Sequence, residues 1–274
     1  MVISDAQVHI WGADTPVRPW PADGHARAQR AVPLGVEELI REMDNAGVDR
    51  AVIVPPSWEG DRNDLALDAA RQHPSRLAVM GRLDLKSHGT RSLRRWRDLP
   101  GMLGVRLTFH TDVGVDDAEW FWPEAADAGL PVMIFGPGQT AAFGEVAKRF
   151  PDLRLIVDHL NLRTGASLAD LDSALEALLK LSDLSNLAIK ISALPCLLGP
   201  GESVESLAPF IRRVIDAYGA DRTMWGSDLS RLPIPYIDWV TAGTSGFNCL
   251  SPTEIAQVMG ASLATWLDWP EEPT

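Results

Sequence analysis

From one end of the chain to the other, short apolar runs alternate with longer amphipathic segments, and this rhythm restricts the fold more than any other feature. The runs are Val2–Ile10, Arg50–Val54, Leu77–Arg82, Leu103–Leu107, Pro131–Phe135, Leu153–Asp158, Leu187–Ile191 and Thr223–Trp225. Most are continuously apolar, as strands are when both faces of a parallel sheet are covered. Between them lie helical patterns. Val36–Ala46 ends at Gly47, Ala118–Ala128 at Gly129 and Ile211–Tyr218 at Gly219, each glycine placed as a C-terminal cap with a strand close behind. Asn63–Gln72, Ala141–Phe150 and Leu168–Leu181 fill other intervals. Eight such units in 274 residues predict one α/β domain, a (β/α)8 TIM barrel spanning residues 1–274. A final helical stretch, Pro252–Trp269, is expected to pack outside it. A doubly wound open sheet is the competing architecture, but the first βα turn, Trp11-Gly12-Ala13-Asp14, has no dinucleotide-binding GxGxxG.

A formal charge of −12 argues against a nucleic-acid partner, because phosphates need basic stripes. No apolar run is long enough for a bilayer, and no basic and apolar leader precedes the first strand. With only Cys196 and Cys249 and no CxxC spacing, a disulfide scaffold or thiolate metal site is unsupported. A cytoplasmic protein acting on a small molecule is the expectation, with no membrane partner. Ten tryptophans read mainly as packing aromatics. Trp11, Trp20 and Trp58 follow strands and could wall a pocket, and exposed tryptophans would favour a homodimer. The long Pro-rich connection from Trp11 to Leu34 is expected to lie over the active face.

In a barrel of this kind, chemistry sits at the C-terminal strand ends. That filter selects Gln7 and His9 after the first strand, Arg106 and His110 around the fourth, His159 and Arg163 after the sixth, and Asp228 after the eighth. Strand alternation places Asp5, Gln7 and His9 on one side, facing the interior. Histidine at position 7 would complete a His-x-His metal grip, and a neutral carboxamide is a poor zinc ligand. Bland alternatives stand beside each residue. An Asp after a strand commonly caps a helix. Arg106 and Arg163 could be rim ion pairs, and His110 and Arg231 are loop-borne, at pocket or surface. Gly136-Pro137-Gly138 lacks the Lys of a phosphate loop, and neither Ser192 nor Ser227 stands in GxSxG.

Taken together, Asp5-x-Gln7-x-His9, Val157-Asp158-His159-Leu160, Lys190-Ile191-Ser192 and Trp225-Gly226-Ser227-Asp228-Leu229 resemble the amidohydrolase superfamily. The resemblance is greatest to the amidohydrolase-related branch holding 2-pyrone-4,6-dicarboxylate lactonase, sugar-acid lactonases and metal-dependent decarboxylases. It implies that Asp228 activates a water as general base and that His159 polarises the substrate carbonyl or moves a proton. His9 would be the second histidine of the family's strand-one pair, with Gln7 in place of the first. Strand five carries Phe135 and Gly136 where decarboxylase members carry a ligating His. Arg106 and Arg163 would clamp substrate carboxylates; His110 and Trp11, by their positions after strands, are further candidate substrate contacts. A catalytic zinc needs three protein ligands, and only His9 and Asp228 remain of that set. The favoured expectation is metal-independent hydrolysis of a lactone or ester of a small carboxylated substrate, with no cofactor. Gln7, His9 and His159 would then donate hydrogen bonds to the developing oxyanion. The rivals are a metal-dependent decarboxylase or C–C hydrolase, in which a divalent ion such as zinc is held weakly, and a non-catalytic binding barrel.

Overall fold

The strands form where the apolar runs lie: β1 (Ser4–Val8), β2 (Arg50–Ile53), β3 (Leu77–Arg82), β4 (Met102–Thr108), β5 (Val132–Phe135), β6 (Leu155–Val157), β7 (Leu187–Ser192) and β8 (Thr223–Gly226). The chain is seen here as a computed structural model that describes residues 1–86, 93–109, 113–163 and 165–269. Every neighbouring pair is parallel and in sequence order, so each connection crosses back over the outside. The sheet curls until β8 lies beside β1, where the Asp228 N–H donates to the Gln7 carbonyl at 2.9 Å. A (β/α)8 barrel results, with one apolar layer inside and another between the strands and the outer helices.

Helices Val36–Ala46, Asp64–Gln72, Thr140–Arg149, Leu168–Leu179 and Ala208–Tyr218 follow their amphipathic patterns. Gly47 takes the left-handed conformation (φ 73°) that lets the first of them stop and turn into β2. The stretch expected as one helix over Ala118–Ala128 is instead a tight turn, Val115–Ala118, and a helix, Phe121–Asp127. Pro123 accounts for the break: it has no N–H to donate and is tolerated only in a first helical turn.

The C-terminal segment also departs from expectation. It comprises Pro252–Ala256, a widened turn at Gln257–Ala261, and Ser262–Leu267. Its apolar residues Leu263, Trp266, Leu267 and Trp269 join the barrel's interior cluster with Ala6, Ala78, Ala188 and Met224. The alanines leave room at the base of the barrel, and the segment plugs that end. Contact is close: a Cβ on Gly260 would lie 2.4 Å from the Val2 carbonyl oxygen.

In β1 the register with β2 slips between Asp5 and Val8, the mark of a bulge. The bulge overturns strict alternation. Ala6 points into the barrel, Gln7 and His9 also turn inward, and Asp5 faces outward to Tyr236. None of the ten tryptophans is exposed, so they give no ground for a dimer. Among the described residues no helix is long and apolar enough to cross a membrane.

Candidate active site

Asp228 stands two residues past β8 in the left-handed region (φ 53°), which Asp tolerates better than most residues because of its short polar side chain. Its buried carboxylate is surrounded by bases and cations. His9 Nε2 lies 3.0 Å from Oδ1, His159 Nε2 3.8 Å from Oδ2, and Arg231 Nε 2.5 Å from Oδ2. Burial alone would raise the Asp228 pKa, but the Arg231 and His9 charges hold it well below the usual carboxylate range.

His9 is oriented from behind by the Val54 carbonyl, 2.5 Å from Nδ1, and edge-on by Trp58 at 5.6 Å. Trp11 packs edge-on against Trp58 at 5.2 Å and is buried, one ring removed from the site. His159 begins a run of three left-handed residues, His159, Leu160 and Asn161. That strained turn is pinned by the Asn161 side chain, which bridges the Gly136 N–H and carbonyl at 2.8 and 2.9 Å. The Ser192 hydroxyl meets His159 Nδ1 at 2.7 Å. Burial pulls the His159 pKa down to about 3, against the raising influence of Asp228, so the ring is neutral at physiological pH.

Below this level the barrel interior holds a second polar layer. Lys190, fully buried in β7, reaches Asp158 Oδ1 at 3.0 Å and also bonds Gln7 Oε1. Arg106 Nε holds the other Asp158 oxygen at 3.2 Å. Burial would raise Asp158, yet Lys190 and Arg106 together keep it low; burial pulls Lys190 down against the attraction of Asp158. Because an ammonium only donates, the Gln7 carbonyl must face Lys190, which leaves its amide N–H2 group toward His9, 3.5 Å from Nε2.

The structure thus brings Gln7, His9, His159 and Asp228 together, with Arg231 among them. Arg106 lies in the layer beneath, turned to Asp158. Arg163 is exposed on the rim and, with His159, Ser192 and Arg231, lines a cavity of only about 10 Å³, room for a single water. His110 lies outside the described residues. Lys190 carries no role in the sequence reading beyond its place in the Lys-Ile-Ser motif. The available signal is a single charge within the apolar strand Leu187-Ala188-Ile189-Lys190-Ile191. Among the described residues no group of three or more His, Cys, Asp or Glu side chains converges as a metal-ligand set.

Comparison with known proteins agrees with the geometry. Residues 4–269 match the sequence profile of the family described as Amidohydrolase. An L-fucono-1,5-lactonase from Burkholderia ambifaria is 28% identical over 245 residues, covering 83% of this chain and 81% of that protein. A 4-sulfomuconolactone hydrolase from Rhizobium radiobacter is 26% identical over 234 residues, covering 82% and 74%. In fold, the chain superposes on a zinc-bound amidohydrolase from Burkholderia multivorans with a TM-score of 0.79 at 19% identity, covering 98% of this chain and 100% of that one. A profile match from the first strand to the base plug, over a barrel whose acid and histidines gather where such barrels do their chemistry, makes this chain a hydrolase that belongs to the amidohydrolase family.

Proposed function

We propose that the enzyme hydrolyses a lactone or ester of a small carboxylated substrate without a metal. The observation that carries this reading is the Asp228 carboxylate, buried at the barrel mouth within 3.0 Å of His9 and 3.8 Å of His159. The two relatives described above are named for acting on lactones, which favours a cyclic ester.

In the reaction, Asp228 takes a proton from water as the water oxygen attacks the ester carbonyl. With Nε2 facing the Asp228 carboxylate at 3.8 Å, we place the His159 ring N–H at Nε2, so that Nδ1 accepts from the Ser192 hydroxyl. That N–H and the Gln7 amide then donate to the oxyanion, the Gln7 dipole being fixed from behind by Lys190. Collapse of the tetrahedral intermediate breaks the carbon–oxygen bond of the ring. The leaving oxygen takes the proton from Asp228, giving an open hydroxy acid.

A divalent ion, as carried by the Burkholderia multivorans structure, does not suit these residues. The Gln7 carbonyl, its only useful ligand atom, is turned to Lys190, and Asp228 is covered by the Arg231 cation. Two ligands remain where three are needed, in a field already holding two ammonium or guanidinium charges. The test is hydrolysis of a panel of sugar-acid and muconate-type lactones, followed by acid release. The expected result is turnover insensitive to chelator and reduced about a thousandfold in Asp228→Asn. Loss of activity in chelator with recovery on added zinc, or near-wild-type turnover in Asp228→Asn, refutes the proposal.

A further inference from the structure

Arg231 is an odd neighbour for a general base. It belongs to the tight turn that follows β8, with its N–H bonded to the Asp228 carbonyl at 3.1 Å, so the guanidinium folds back over the carboxylate it follows by three residues. In that position Arg231 caps the Asp228 carboxylate, and a small cavity that it lines with His159, Ser192 and Arg163 adjoins the pair. With the guanidinium where it stands, Asp228 Oδ2 is engaged by a cation.

The turn itself is held from outside. Arg30, in the long connection after β1, donates to the carbonyls of Leu229 and Ser230 at 3.2 Å each and is anchored to Glu42 at 2.9 Å. Gln29 bonds the Ser230 hydroxyl. The turn is therefore held through its backbone, while the Arg231 side chain is 17% exposed and shares a cavity with exposed Arg163.

We propose that Arg231 is a latch on Asp228, released by an anionic group of the incoming substrate. A substrate carboxylate entering beside Arg163 competes with Asp228 for the guanidinium; the exchange of one bidentate-capable partner for another frees the base. Neutral esters offer nothing to exchange and meet a carboxylate still engaged by Arg231. Arg231 is then a specificity-determining residue, one that selects for charge through access to the base. The inference rests on the hydrolytic reading for its meaning, but the competition between an internal and an external carboxylate can be tested without turnover.

The probe is succinate, titrated by calorimetry into wild type, Asp228→Asn, Arg231→Leu and the double variant, with the Arg231 Nε resonance of 15N-arginine-labelled protein as a second readout. Asn suits the left-handed backbone at position 228, so Asp228→Asn should fold. Removal of the internal competitor is expected to tighten succinate binding at least tenfold and shift the Arg231 resonance. Any lost negative charge attracts anions, so the decisive comparison is the cycle: in the Arg231→Leu background, Asp228→Asn should change affinity less than twofold. An equal gain with and without Arg231, unchanged affinity in Asp228→Asn, or no binding in any form overturns the latch. Binding in Asp228→Asn alone supports it in its tightest form. If the cycle shows coupling but no lactone is turned over, the latch stands and the reaction assignment falls. Turnover without coupling has the opposite meaning.

Discussion

Asp158→Asn is the most informative single perturbation of the inner layer. Asp158 is the anion that bridges two buried cations, Lys190 at 3.0 Å and Arg106 at 3.2 Å. Removing its charge leaves both uncompensated, and breaking a buried pair in this way costs about 3–5 kcal/mol. A loss of about 4 kcal/mol is expected, or about 8 °C in melting temperature at roughly 2 °C per kcal/mol for a chain of this size. Lys190→Met is milder. It leaves an Asp158–Arg106 pair that still balances in charge, and its main cost is the orphaned Asp158 and Gln7 oxygens, about 2 kcal/mol. Simple addition predicts about 6 kcal/mol for the double variant, whereas the charge argument predicts about 3 kcal/mol, because the methionine removes the cation that the asparagine stranded. Urea unfolding followed by tryptophan fluorescence at neutral pH measures all three. A double variant at the additive value, or Lys190→Met more damaging than Asp158→Asn, refutes the picture of one carboxylate neutralising two cations.

Two further outcomes follow from the same geometry. His159 is held neutral, with a pKa of about 3 against an ordinary 6.5, so unfolding takes up a proton in that interval. Its contribution to stability is complete above about pH 6.5 and is lost as the pH falls toward 3; His159→Gln should flatten that part of the stability–pH curve, and an unchanged curve contradicts the assignment. Gln7→His restores the missing imidazole but leaves the Lys190 and Arg231 cations, so substoichiometric metal by mass spectrometry is expected until Arg231→Leu is added. About one zinc per chain in Gln7→His alone would show that residue 7 by itself decides metal binding.

The barrel was legible because its signal is repetitive: eight apolar runs and glycine-capped helices each repeat the same local physics. His9, His159 and Asp228 could be placed because each follows a strand, and in a barrel the strand ends converge. Asp5 was misplaced because a bulge is a property of two strands in register, and β1 alone contains no trace of it. Lys190 carried no expected role because a lysine in a strand reads as solvent-facing, and only the partners Asp158 and Gln7, more than 30 and 180 residues away, explain its burial. The base plug was unreadable for a related reason. Leu263, Trp266 and Leu267 give an ordinary amphipathic pattern, and the space that receives them is left by alanines elsewhere in the chain.

The seam between β8 and β1 and the plug at the base have a joint consequence for synthesis. Asp5 accepts from the Ser227 N–H at 2.9 Å, and Ala6 packs in the cluster completed by Leu263 and Trp266. β1 therefore waits for partners that are translated 222 or more residues later. Until they emerge, the nascent chain is an open sheet with raw edges at β1 and at its newest strand, and its hollow base faces water. Such edges invite pairing with other chains, and the interval between translation of β7 and emergence of the plug is when they are most exposed.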